Sequence, residues 1–298
     1  MYASAKNELL TLRDLIRYAV SRFNEADLVF GHGSDNAYDE AVYLVLHALH
    51  LPPDTLEPFL DARVVREEAS AVVDLIEARV TQRVPVAYLT KEAWLQGHRF
   101  IVDARVIVPR SPISELIADA LAPWVEDADA VTHVLDMCTG SGCLAILSAL
   151  AFPNARVDAV DVSPDALAVA RLNRDAYQLH DRMTLIESHL FDAVPAAQYD
   201  LIVCNPPYVN QGAMDALPRE FQHEPTLALA GGKDGMDLVR HILRDAPRYL
   251  ADDGMLVLEI GHEKEFFDAA FPALAPMWLQ TETSDDQILL LTKAQLQS

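Results

Sequence analysis

The sequence predicts an α/β protein: a doubly wound, mainly parallel sheet preceded by a small helical domain and a β-hairpin linker. Three observations carry this. Beyond residue 130, short apolar runs alternate with stretches of helical periodicity, the pattern of βα units joined by right-handed crossovers. A glycine-rich turn, Asp136-Met137-Cys138-Thr139-Gly140-Ser141-Gly142, leads from the first of these runs into a helix. The first 84 residues show helical spacing alone.

Leu9, Leu12, Ile16, Ala19, Val20 and Phe23 define the apolar face of a first helix. A second, over 38–51, presents Val42, Val45, Leu46 and Leu49 and stops at Pro52-Pro53. A third, over 66–83, carries Val72, Val73, Ile76 and Val80. Between the first two, Gly31-His32-Gly33-Ser34-Asp35-Asn36 is a polar loop that draws on glycine's backbone freedom. This bundle holds no cluster of reactive side chains, so substrate recognition and a structural cap are both open to it.

Residues 94–102 and 106–108 read as a β-hairpin. Ser111 as N-cap and Pro112 in the first turn then open a helix. Strands are expected over 131–137, 156–161, 183–187, 199–204 and 255–260. Helices are expected over 143–151, 163–177 and 236–249, with 279–281 and 287–292 pairing at the C-terminal edge. The domains are therefore 1–84, helical and suited to substrate recognition; 85–112, the linker; and 113–298, the sheet domain.

A chain of 298 residues, 51% hydrophobic, can bury a substantial core. No apolar run approaches the roughly 20 residues that span a bilayer, and the N-terminus lacks a signal peptide's apolar centre. Cys138, Cys143 and Cys204 offer no disulfide framework, which suits a reducing cytoplasm. Their spacing, without a matching histidine, predicts no metal site; His32, His98, His223 and His262 show no ligand spacing either. The net charge of −22, from 45 acidic and 23 basic residues, repels phosphate backbones and attracts basic partners. Solubility alone would also explain it. A basic protein substrate fits, whereas direct binding to nucleic acid or to a membrane is not expected.

The chemistry concentrates at Asn205-Pro206-Pro207-Tyr208, directly after the run 199–204. The carboxyl end of a buried parallel strand is where open sheets hold ligands. Asn205 offers a side-chain carbonyl, and Pro206 and Pro207 offer carbonyls with no competing N–H. Tyr208 offers a flat face for stacking. Such a set grips a planar amide or amine, although a strand-ending turn uses the same residue types.

In the glycine-rich turn, Gly140 and Gly142 remove Cβ atoms where a ligand must approach the backbone. Asp161 ends the next strand, placed to accept both hydroxyls of a ribose. Gly140, Gly142 and Ala145 also satisfy the loose dinucleotide pattern G-x-G-x-x-A. S-adenosylmethionine is the competing ligand, with Asp136 orienting the loop or meeting the methionine amino group. The methyl donor is preferred because Asn205–Tyr208 provide a methyl acceptor site, and no neighbouring residue suits hydride transfer.

Together with Glu259-Ile260-Gly261, these motifs resemble the HemK-type protein-(glutamine-N5) methyltransferase family. Tyr88-Leu89-Thr90, Gly97-His98-Arg99-Phe100, Val108-Pro109-Arg110-Ser111-Pro112-Ile113 and the loop 31–36 are similar to its PrmB subgroup. The resemblance spans nearly the whole chain. It implies a Rossmann-like methyltransferase sheet and methyl transfer from S-adenosylmethionine to a glutamine side chain in the third protein of the large ribosomal subunit. It further implies that Cys138, Thr139, Gly140, Ser141 and Gly142 wrap the methionine end of the cofactor and that Asp161 holds its ribose. Leu190 would pack on the adenine, and Asn205 to Tyr208 would take the glutamine, Asn205 also bordering the cofactor. The sister subgroup acts on peptide release factors. It has Pro-Arg-Pro-Glu-Thr where this chain has Pro109-Arg110-Ser111-Pro112-Ile113, and glycine where Cys138 stands, which favours the ribosomal substrate.

Three alternatives follow from the same residues. Asn-Pro-Pro-aromatic also serves exocyclic amines flipped from nucleic acid, which the charge opposes. A nicotinamide oxidoreductase and a non-catalytic ribosome-assembly adaptor are the others.

Overall fold

The protein is described here by a computed structural model covering residues 2–196 and 198–297. The outermost expected domain bounds, residues 1 and 298, lie outside the described residues. The chain divides into two compact units, one of residues 1–93 with 218–223, the other of residues 94–217 with 224–298.

The first unit contains helices α1 (Tyr2–Glu8), α2 (Leu12–Glu25), α3 (Ala37–Ala48), α4 (Arg66–Gln82) and α5 (Val86–Thr90). Helix α2 starts at a capping box: Thr11 Oγ1 accepts the Asp14 N–H, and the Asp14 carboxylate accepts the Thr11 N–H. Asn36 caps α3 by accepting from Tyr38 and Asp39. Leu15 and Phe23 of α2, Leu44 and Val45 of α3 and Val72 and Ile76 of α4 are fully buried in one core. Beside it, the buried Arg79 donates from Nε to Glu40 Oε1 at 2.7 Å. The short return 218–223 brings in Glu220, which accepts from Arg83 Nη1 at 2.8 Å. The Phe221 ring lies 4.2 Å from the His32 imidazole, centroid to centroid.

Strands β1 (Glu92–Leu95) and β2 (His98–Ile101) form a two-stranded sheet. Gln96 and Gly97 at its turn both take positive φ, 49° and 72°, as a two-residue hairpin of right-handed twist requires. The expected strand at 106–108 is irregular. Val106 bonds back to Asp103, and the Val108 N–H is given to the Glu224 carboxylate instead of a neighbouring strand.

The second unit continues with α6 (Ile113–Ala118), β3 (His133–Met137), α7 (Cys143–Ala151), β4 (Arg156–Asp161), α8 (Pro164–Ala176), β5 (Met183–Glu187) and β6 (Tyr199–Cys204). Then come α9 (Gln211–Asp215), α10 (Asp237–Asp245), β7 (Leu250–Glu259), α11 (Lys264–Ala270), β8 (Met277–Leu279), β9 (Ile288–Thr292) and α12 (Lys293–Leu296). The seven strands are ordered β5-β4-β3-β6-β7-β9-β8, parallel except for the pairings of β9. Chain order runs outward from β3 to β5 in one direction and from β6 to β7 in the other, where β9 then inserts between β7 and the edge strand β8. The switch point between β3 and β6 is where a doubly wound sheet opens its ligand crevice. Leu135, Met137, Ile202, Cys204, Leu256 and Leu258 share a buried core with Val239 and Ile242 of α10.

Strand β7 begins at Leu250, five residues before the expected start at Met255. Its register with β6 shifts between Tyr199 and Leu201, and a Cβ on Gly254 would sit 2.7 Å from the Tyr199 carbonyl. Only glycine fits that close approach, and in the sequence Asp252-Asp253-Gly254 reads as a turn.

Candidate active site

Asp136, next to last in β3, is 1% exposed and organises the glycine-rich turn from below. Its Oδ2 accepts the Thr139 hydroxyl at 2.5 Å and the Ala145 N–H at 2.9 Å. Its Oδ1 has no hydrogen-bond partner among the described residues. Burial pushes the carboxyl up to about 7, because leaving water disfavours the charged form. Positive φ at Cys138 (63°), Gly140 (55°) and Gly142 (81°) coils the turn tightly. The two glycines serve different ends. A Cβ on Gly142 would lie 3.2 Å from Ala170 Cβ and from Met183 Cε, whereas one on Gly140 would meet nothing within 4 Å. Gly142 lets α7 start against its neighbours, and Gly140 leaves space for a guest.

Asp161 ends β4. Its Oδ2 accepts the Gly140 N–H and its Oδ1 the Ser163 N–H, both at 2.9 Å. The carboxylate expected to meet a ribose thus also holds the turn, and burial raises its pKa. Asn173 of α8, which the sequence reading missed, donates to the Ser141 carbonyl at 2.9 Å and makes both backbone hydrogen bonds of Ile101. Nothing in the sequence marks it except an amide on an otherwise apolar helix face.

On the neighbouring strand, Met137 of β3 stands opposite Cys204 of β6, so Asn205 emerges beside Cys138. The segment is pinned at its far end: Val209 donates to the Leu229 carbonyl and Gly231 to the Val209 carbonyl, each at 2.9 Å. Tyr208 donates its hydroxyl to Glu259 Oε1 at 2.9 Å. Burial, reinforced by that carboxylate, pushes the phenol well above its usual range.

One pocket in the second unit, about 910 Å³ including its open mouth, brings together Cys138, Gly140, Asp161, Leu190, Asn205 and Pro207. Arg105, Ser163, His189 and Leu227 also line it and were not foreseen. Leu227 is 61% exposed, a large apolar side chain left at the rim. Asp136, Thr139, Ser141, Gly142, Pro206 and Tyr208 are not among the lining residues; they shape the turn and the strand end behind the wall. The apolar wall with few polar groups and the space above Gly140 suit a nucleoside carrying an amino-acid tail. Among the described residues, no three His, Cys, Asp or Glu side chains are grouped to hold a metal ion.

A family model described as the methyltransferase small domain matches residues 114–232, which contain β3 to β6 and the Asn-Pro-Pro-Tyr segment. The fold is similar to that of the hMettl16 catalytic domain, solved in complex with MAT2A 3′UTR hairpin 6. That likeness has a TM-score of 0.50 at 13% identity, over 75% of this chain and 80% of the other. The switch-point crevice and the strand-end motif within this sheet define a Rossmann-like methyltransferase.

Two relatives sharpen the assignment, both named ribosomal protein uL3 glutamine methyltransferase. That of Bordetella pertussis is 69% identical over 99% of each chain. That of Burkholderia pseudomallei is 60% identical over 96% of this chain and 95% of its own. The chain belongs to the ribosomal protein uL3 glutamine methyltransferase family.

Proposed function

We propose that this enzyme methylates the side-chain amide nitrogen of a glutamine in ribosomal protein uL3, using S-adenosylmethionine bound in the pocket above Gly140. One observation carries the reading: Asn205 and Pro207 line the same pocket as Gly140 and Asp161. Donor and acceptor groups therefore share a single crevice between β3 and β6.

S-adenosylmethionine supplies, when bound, a methyl group on an electrophilic sulfonium sulfur. Gly140 provides room for it, Asp161 an acceptor for ribose hydroxyls, and Leu190 an apolar surface for the adenine. Asp136, which accepts from Thr139 and Ala145, orients the loop that wraps the methionine end. On the acceptor side, an amide nitrogen is a weak nucleophile because its lone pair is delocalised into the carbonyl. The Asn205 side-chain oxygen and the Pro206 carbonyl each accept one hydrogen of the amide, fixing the nitrogen's plane and direction. Positioning of this kind contributes several kcal/mol to lowering a barrier. No general base is required, since the proton leaves to water after transfer. Tyr208, its hydroxyl engaged by Glu259, acts through the position of its ring and backbone.

The net charge of −22 suits a basic ribosomal protein as partner, with the helical first unit contributing to its recognition. The three cysteines are free, consistent with work in the cytoplasm. Incubating the purified enzyme with labelled methyl donor and ribosomal proteins from cells that lack it tests the reading. Label should enter a uL3 glutamine; label in a release factor or in RNA instead would contradict it.

A further inference from the structure

Glu259 ends β7 at 3% exposure. Its carboxylate accepts two hydroxyls, Tyr208 on Oε1 at 2.9 Å and Ser111 on Oε2. Burying a carboxylate without an ion pair is costly, and an apolar side chain could fill the space at less expense. What the carboxylate provides is a fixed end for Tyr208. The ring also has a wall: a Cβ on Gly261 would come within 2.4 Å of Tyr208 Cε2. The backbone is hemmed in as well. A Cβ on Gly231 would approach Tyr208 Cα to 2.6 Å, and one on Gly235 its carbonyl oxygen to 2.2 Å.

The other end of the chain of hydroxyls reaches a second wall of the pocket. Ser111 adjoins Arg110, whose Nη1 and Nη2 fork onto Glu224 Oε1 and Oε2 at 2.6 and 2.8 Å. Glu224 leads directly into Pro225, Leu227 and Ala228, which line the pocket with Asn205 and Pro207. Two adjacent residues thus tie the strand-end motif to one carboxylate and the facing segment to another.

We propose that Ser111 and Glu259 are positioning residues for the methyl acceptor. Through Tyr208 they fix the Pro206 carbonyl and the Asn205 side chain, while Arg110 and Glu224 hold the 225–228 wall in register with them. This rests on the proposed function above. Glu259 touches neither donor nor acceptor, and its loss acts on the geometry of transfer rather than on cofactor binding.

The test uses full-length Ser111→Ala, Tyr208→Phe, Glu259→Gln and the Tyr208→Phe/Glu259→Gln double variant, with uL3 as acceptor. Turnover is measured at saturating S-adenosylmethionine, and cofactor affinity by calorimetry. Tyr208→Phe and Glu259→Gln should each lower kcat about 10- to 100-fold, with cofactor Kd within about threefold. Ser111→Ala should move in the same direction by less. The double variant should be no slower than the slower single, because one linkage is broken in all of them. Wild-type turnover in Ser111→Ala and Tyr208→Phe would overturn the inference, even if Glu259→Gln failed to fold. So would multiplying losses in the double variant, or cofactor affinity falling in step with kcat. An inactive wild-type enzyme on uL3 would refute the proposed function instead, so the two failures are distinguishable.

Discussion

The backbone N–H of Gly140 donates to Asp161 Oδ2 at 2.9 Å, so the residue expected to hold a ribose also anchors the turn above which the cofactor would lie. Because Ser163 donates to the other oxygen, both lone-pair sets are already oriented before any ligand arrives. Asp161→Asn places an NH₂ against one of these donors. We predict a 10- to 100-fold weaker S-adenosylmethionine affinity by calorimetry, on the order of 1.4–2.8 kcal/mol, with kcat at saturation much less affected. Unchanged affinity would exclude Asp161 from the cofactor site.

Asp136 makes stability depend on pH. Its folded carboxyl is raised from 3.8 to about 7, so between those values the folded state keeps a proton that the unfolded chain has lost. Its contribution favours the fold below about pH 4 and is lost as pH rises through about 7. Asp136→Asn can keep its carbonyl toward Thr139 and Ala145 and put its NH₂ where Oδ1 is unpaired. Relative to wild type, it should gain on the order of 2 kcal/mol of stability between about pH 5 and about pH 8. Chemical denaturation at both pH values measures this; a difference independent of pH would contradict it.

The two glycines of the turn should separate stability from binding. Gly142→Ala forces a Cβ to within 3.2 Å of Ala170 and Met183 at a φ of 81°, costing about 2–3 kcal/mol. Gly140→Ala at a φ of 55° meets no atom and should cost about 1 kcal/mol, while weakening the cofactor because the methyl enters its space. Thermal melts with and without S-adenosylmethionine distinguish the two outcomes.

In the helical unit, Arg79 is fully buried against Glu40, whose own pKa burial raises despite the guanidinium. Arg79→Ala leaves that carboxylate buried and without its cation, so we expect a loss of about 3–5 kcal/mol in unfolding free energy. A loss under about 1 kcal/mol would show that the site hydrates or rearranges.

The parallel strands β3 to β6 were legible because each is a short apolar run bounded by turn residues, and Gly140, Asp161 and Asn205 mark the ends of three of them. That all three face one pocket followed from the sheet order, which alternation of βα units already implies. What was illegible depends on long-range partners. Glu224 and Leu227 sit in a segment without periodic pattern, Asn173 is a single amide in a foreseen helix, and Glu224 and Asn173 bond residues 116 and 72 positions away in the chain. The return of 218–223 to the helical unit is a single turn around Glu220 and Phe221, too short to leave a sequence signal. The extension of β7 was hidden because a close backbone approach at Gly254 looks, in sequence, like a turn.

Everything about the transfer step depends on the Asn205 side chain gripping the acceptor amide. The most direct test is steady-state methylation of uL3 by Asn205→Ala alongside the calorimetric Kd of S-adenosylmethionine. Turnover should fall at least about 100-fold while Kd changes by no more than about threefold. Full turnover in that variant, or a loss confined to cofactor affinity, would contradict the acceptor role.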